Sequence, residues 1–367
     1  MGSAVAVIVL GVLAILAVGV VGLSVGADAL PGAAVLALVP LAVVLLAIRW
    51  VDRWEREPWQ ALAVAFGWGA SVSVLVALVL NTGAQLVLVA SGSTMQTASV
   101  WGAVVVAPVV EESIKAAGVL LVFLAWRRTF DGPVDGLVYA ATVAAGFAFV
   151  ENILYFGSAL VESASMADAG DAVVMTFMMR AVMSPFAHLL FTACTGLALG
   201  WAARSRHPHA WLWTFPLGLT LAIVLHGLWN GSAMLKSESA FYMLYVLFQV
   251  PLFISAVAMA FWLRRREAAV VRTRLAEYAA AGWFAPAEVA MLASLRERRR
   301  ARTWAVRRGG ARARRAMRDF QLAATRLAYQ RNRILTRRAD RTALLDESLL
   351  LGEVNAARLE LMSSLAV

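Results

Sequence analysis

"VWGAVVVAPVVEESIKAAGVLLVFLAW", residues 100–126, decides the fold, because only Glu111, Glu112 and Lys115 interrupt its apolar character. A hydrocarbon core about 30 Å thick is crossed by roughly 20 apolar helical residues, so a run of this length reads as a membrane span. Each charge in such a span costs on the order of 2.5–3.5 kcal/mol on insertion scales, and three together point to function rather than packing. Glu111 and Lys115 stand at i,i+4, and Glu112 and Lys115 at i,i+3. The lysine can therefore neutralise one carboxylate and leave the other available.

The surrounding chain has the same character. It is 61% hydrophobic with a mean hydropathy of +0.73, which fits a polytopic membrane protein and not a soluble one of this size. Apolar stretches at about 4–26, 33–48, 60–80, 100–126, 137–157, 173–203, 211–232 and 241–263 predict an all-α fold of about eight transmembrane helices. Residues 81–99 read as an uncharged outer loop. The connections at 49–59, 127–136, 204–210 and 264–266 carry ten arginines, whereas the opposite loops carry only Lys236. By the positive-inside rule both termini are cytoplasmic, and the protein is expected in the plasma membrane. The N-terminal run lacks a charged leader and reads as a retained first span.

Charge divides the chain into 1–263, a transmembrane domain, and 264–367, an arginine-rich cytoplasmic helical domain. The first part carries a net −3 and the second +13. Three or so amphipathic helices are expected between about 286 and 362, broken near Gly309 and Gly310. An arginine-rich helical tail of this kind lies against anionic lipid or serves regulation. Only two of the 33 basic residues are lysine, a chain-wide arginine bias that removes any case for nucleic acid as a partner. Cys194 is the single cysteine, which excludes an intramolecular disulfide and a cysteine-based zinc site. Nothing in the sequence sets an oligomeric state.

Counted from the cytoplasmic end of each span, Glu111, Glu112, Glu151, His188 and His226 all lie about 15 residues in. At about 1.5 Å per residue that is one layer some 21–22 Å from the inner face. Glutamates and histidines crowded at one depth suit general acid/base chemistry or a metal. Phe147 and Glu151 share a helix face, as do His226 and Asn230, whose polar groups could converge on one carbonyl oxygen. Pro108 and Pro185 stand where they would kink their helices and admit water. No serine belongs to a nucleophile pattern, so an activated water is the better reading.

"EESIK" (111–115), "FAFVENILYF" (147–156), "RAVMSPFAHLLF" (180–191) and "HGLWN" (226–230) resemble, in order and spacing, the signature of the PrsW family of intramembrane proteases. That family is grouped with CAAX prenyl endopeptidases and bacteriocin-processing enzymes. "DRWEREPW" (52–59) is also similar to a family segment, with Arg56 where a proline is common. Ala116 and Glu151 depart from the CAAX type, which has arginine and histidine there, and so argue against prenylated substrates.

The resemblance implies cleavage of a membrane-anchored protein such as an anti-sigma factor within the lipid bilayer. It makes Glu111 or Glu112 the base on a water, with the other held by Lys115. His188 would position the water, and His226 with Asn230 would stabilise the oxyanion. Glu151 would share the proton or complete the site. Arg180 and Phe147 are the expected substrate contacts. The cofactor is none or zinc, the latter at Glu112, Glu151, His188 and His226. The rival reading is a proton- or metal-coupled transporter, which also buries Glu and His in its membrane core.

Overall fold

A computed structural model describes residues 2–127, 129–165, 170–235, 237–336 and 341–365; Lys236, the one basic residue of the outer loops, lies outside them. Among the described residues every regular element is a helix. The chain divides into two compact units, one of residues 1–52, 57–203 and 208–257, the other of 53–56, 204–207 and 258–367.

In the first unit α1 (Gly2–Val25) and α2 (Leu30–Val51) lead into α3 (Trp59–Gly67) and α4 (Val74–Ala90). Then come α5 (Met95–Trp101), α6 (Ala107–Ala125), α7 (Pro133–Ser165) and α8 (Gly170–Phe177). α9 (Ala187–Arg204), α10 (Trp211–Ala233) and α11 (Glu238–Leu244) follow, then α12 (Val250–Ala280), whose residues from 258 on belong to the second unit. Wide π-helical turns at Trp68–Ser73, Gly102–Val106 and Tyr245–Gln249 join α3 to α4, α5 to α6 and α11 to α12, and one at Met178–Met183 ends α8. Such turns interrupt the regular ladder and recur at functional sites. The turn before α6 sits directly ahead of Pro108, whose missing N–H breaks the α ladder there.

Seven helical stretches are long and apolar enough to cross a membrane. The expected eighth, α5–α6, which carries Glu111, Glu112 and Lys115, is not among them. Two boundaries also differ from expectation. α4 runs on to Ala90, so 81–90 is helix and not loop, and the last membrane helix continues past 263 to Ala280. The stretch 173–203 is broken at 184–186, where Pro185 lies and Ser184 takes φ −131°.

α7 is the central helix, with 72% of its apolar window buried against 11–50% for the other six. Glycines let it approach its neighbours backbone to backbone. A Cβ on Gly196 of α9 would stand 2.1 Å from the Gly136 carbonyl oxygen of α7, and one on Gly200 would stand 2.5 Å from that of Gly132. Gly196 and Gly200 form a small-xxx-small pair, the pattern that brings membrane helices close when no hydrophobic force drives them together. At one end of α7, Tyr139 donates a hydrogen bond to Glu57, whose carboxyl is pushed up to about 11 by burial and by neighbouring Asp135.

The second unit holds α13 (Pro286–Leu292), α14 (Leu295–Thr336) and α15 (Arg341–Leu365). α14 bends where expected, at Gly309 and Gly310, the latter at φ +62°, a conformation that favours glycine. Its apolar core includes Leu275, Phe284, Leu292, Phe320 and Leu327, and takes in Trp54 from the short segment 53–56. Trp54 is 5% exposed, and the buried guanidinium of Arg298 lies 4.9 Å from its ring. Arg298 also donates to the Leu292 carbonyl and to Thr325 Oγ1, each at 2.7 Å.

Candidate active site

The polar side chains singled out from the sequence meet inside the first unit. α6 contributes Glu111, Glu112 and Lys115; α7 contributes Glu151, α9 His188, and α10 His226 with Asn230. Lys115 is fully buried and acts as the hub. Its Nζ lies 2.5 Å from Glu112 Oε1, 3.3 Å from His188 Nδ1 and 3.9 Å from Glu111 Oε2, and 4.2 Å from the centre of the Phe147 ring.

The two adjacent glutamates have opposite surroundings. Glu112 is saturated: Lys115 and His226 Nδ1 (3.0 Å) share Oε1, and Thr192 donates to Oε2 at 2.8 Å. Glu111 accepts one bond on Oε1, from Asn81 Nδ2 at 3.3 Å, while its buried Oε2 has no hydrogen-bond partner. That bare oxygen stands 4.0 Å from His226 Nε2. A carboxylate only accepts, so His226 donates from Nδ1 to Glu112, and its Nε2 faces Glu111. The lysine therefore holds Glu112, and Glu111 is the available carboxylate.

Glu151 is likewise occupied. His188 Nε2 donates to it at 2.8 Å, and Arg180 pairs with it. Arg180 also donates to Asn152 Oδ1 at 2.8 Å and lies 4.2 Å from the Tyr155 ring centre. Arg180 thus braces the Glu151–His188 pair from the cavity wall. Phe147, expected to contact substrate, is buried with its ring beneath Lys115 and 5.4 Å from that of His188. Asn230 donates to the Ala103 carbonyl in the π turn before α6 at 2.8 Å, and so does not share a hydrogen-bond partner with His226.

A polar cavity of about 290 Å³ opens onto this cluster, lined among others by Asn81, Glu111, Arg180, His188, His226 and Asn230. An apolar cavity of about 150 Å³ adjoins it, the two sharing Ser184, Ala187 and Trp229.

Glu111, His188 and His226 each offer one ligand atom within 4.8 Å of the others, and all three are buried. Two histidines and a glutamate are a donor set of zinc hydrolases. The orphaned Glu111 oxygen and the carboxylate of Glu112 behind His226 supply the bare ligand and the orienting partner that such a site needs. By donor type these residues fit a divalent metal, with His188 giving up its bond to Glu151 or to Lys115 to ligate it. Glu111 stands with the two histidines there, whereas the expected Glu112 and Glu151 are bonded to Lys115 and Arg180.

Sequence reasoning missed Asn81, Thr192, Asn152 and Tyr155. Thr192 is at i+4 from His188 and Tyr155 at i+4 from Glu151, a spacing that could have found them. Asn81 gave no such signal, since it reaches Glu111 from another helix.

Comparison with known proteins places the chain in a family. The sequence profile of the PrsW family intramembrane metalloproteases matches residues 57–256, more than half of the chain. Protease PrsW of Clostridioides difficile (strain 630) is 28% identical over 214 residues, covering 58% of this chain and 83% of that protein. Protease PrsW of Geobacillus kaustophilus (strain HTA426) is 29% identical over 195 residues, 52% of this chain and 75% of its own. Protease PrsW of Oceanobacillus iheyensis is 33% identical over 131 residues, 36% of this chain and 53% of its own. No solved structure matches. The chain belongs to the PrsW family of intramembrane metalloproteases.

Proposed function

We propose that this intramembrane protease hydrolyses a peptide bond in a membrane-anchored protein, with Glu111 as the reacting carboxylate. The unpartnered Oε2 of Glu111, buried and facing His226 Nε2, carries the reading. A water held between these two acceptors gives a proton to Glu111 as its oxygen bonds to the scissile carbonyl carbon. The carbonyl electron pair moves onto oxygen, and Glu111 returns the proton to the leaving amine as the C–N bond breaks.

An asparagine amide has two N–H donors, and Asn230 spends one on Ala103, so the other can serve the oxyanion. His226 donates there only as an imidazolium; with Nδ1–H on Glu112 it acts as acceptor for the water. His188, tied to Glu151 and Lys115, fixes the far wall. A divalent metal held by Glu111, His226 and a freed His188 would occupy the atoms that otherwise hold the water, and would supply Lewis-acid polarisation of the water and the scissile carbonyl in their place.

The apolar cavity beside the site suits side chains of a substrate span. A single-span regulator of the anti-sigma-factor kind is the substrate class we favour. The arginine distribution supports a plasma-membrane protein with both termini cytoplasmic, and with 1–263 as the catalytic part and 264–367 as a regulatory or membrane-apposed one.

The test is a quantitative comparison of new protein termini in cells carrying wild type or Glu111→Gln at matched expression. Juxtamembrane termini should fall by roughly 10²–10⁴-fold in the variant, the range for loss of a general base. Equal yields would overturn the assignment.

A further inference from the structure

Asn81 is a polar residue in the middle of α4, a helix that contributes none of the sequence motifs. Burying an amide among membrane helices costs free energy that leucine would avoid. Its own packing does not explain it. The Oδ1 of Asn81 is buried without a hydrogen-bond partner, and among the described residues the bond its side chain makes is the one from Nδ2 to Glu111 Oε1. Asn81 also lines two cavities together with Glu111.

A carboxylate turns easily about its last torsion, so a donor on one oxygen decides where the other points. Lys115 cannot make that choice for Glu111, since it lies at 2.5 Å on Glu112 and at 3.9 Å from Glu111. We propose that Asn81 is a positioning residue of the proteolytic reaction, its amide holding Oε1 of Glu111 so that Oε2 faces His188 and His226. This rests on the reading of Glu111 as the reacting carboxylate. Carboxylates that bind a metal or a water are commonly held by such an outer partner, and losing one typically costs 10–100-fold.

The deciding variant is Asn81→Leu, near-isosteric, without a donor and better suited to a membrane helix, so it keeps packing while removing the grip. Leu86→Ala, an exposed position further along α4, is the control. Two measurements are made on each full-length protein: zinc affinity in detergent against a chromophoric chelator, and yield of the Glu111-dependent termini in cells. For Asn81→Leu, zinc affinity and terminus yield should each fall roughly 10–100-fold with an unchanged or higher melting temperature, while Leu86→Ala stays within about twofold of wild type. Asn81→Leu within about twofold of wild type in both would overturn the proposal. If wild type takes up no zinc, the termini alone decide, a tenfold fall supporting it and no change refuting it. If no Glu111-dependent termini form at all, the functional reading fails and this assignment with it.

Discussion

At the scale of single residues, the three charges of α6 tolerate one another because Lys115 and Glu112 form one buried pair and leave Glu111 facing the cavity. Removing one partner of such a pair strands the other, at about 3–5 kcal/mol. Lys115→Met should therefore lower the melting temperature in detergent sharply, while the double variant Lys115→Met with Glu112→Gln recovers most of the loss. A double variant no more stable than the single one would show that the pair is not the source of the cost. This pairing was legible in the sequence, because i,i+3 and i,i+4 spacing is a property of one helix. The choice of Glu111 over Glu112 was not. It depends on Thr192, His226 and Asn81, which come from three other helices and leave no local mark.

At the scale of elements, the apolar runs located the helices because length and hydropathy are read along one dimension. The extension of α4 to Ala90 was hidden, since "NTGAQ" after Leu80 resembles a loop in composition while packing decides otherwise. The π turns were equally hidden, being set by tertiary fit. The α7–α9 contact was there to be read in "GLALG" (196–200), although only the structure identifies its partner as the Gly132–Gly136 segment. A side chain at Gly196 must push these helices apart, and with them Glu151 and His188. Gly196→Val is expected to cost about 1–3 kcal/mol or more and to abolish cleavage, read by thermal melting and by terminus yield. Full activity in that variant would mean that the site does not depend on the close crossing.

At the scale of the whole molecule, the second unit is assembled from discontinuous pieces of chain, a fact that composition could not reveal. Trp54 lies far upstream of the charge change near 264 and belongs to the core of this unit. Trp54→Ala should destabilise this unit by about 3–5 kcal/mol, and a fragment of 258–367 expressed alone should show the same deficit. A fragment as stable as the unit in the intact protein would rule out a core role for Trp54.

The burdened helix α6 also has a history during synthesis. Thr192 and His226, which help to satisfy Glu112, follow it by 80 and 114 residues. At roughly 5–20 residues per second the ribosome delivers them about 4–23 s later. During that interval the charges of α6 weigh against its partition into lipid, so its settling in the membrane is expected to follow the arrival of those later helices.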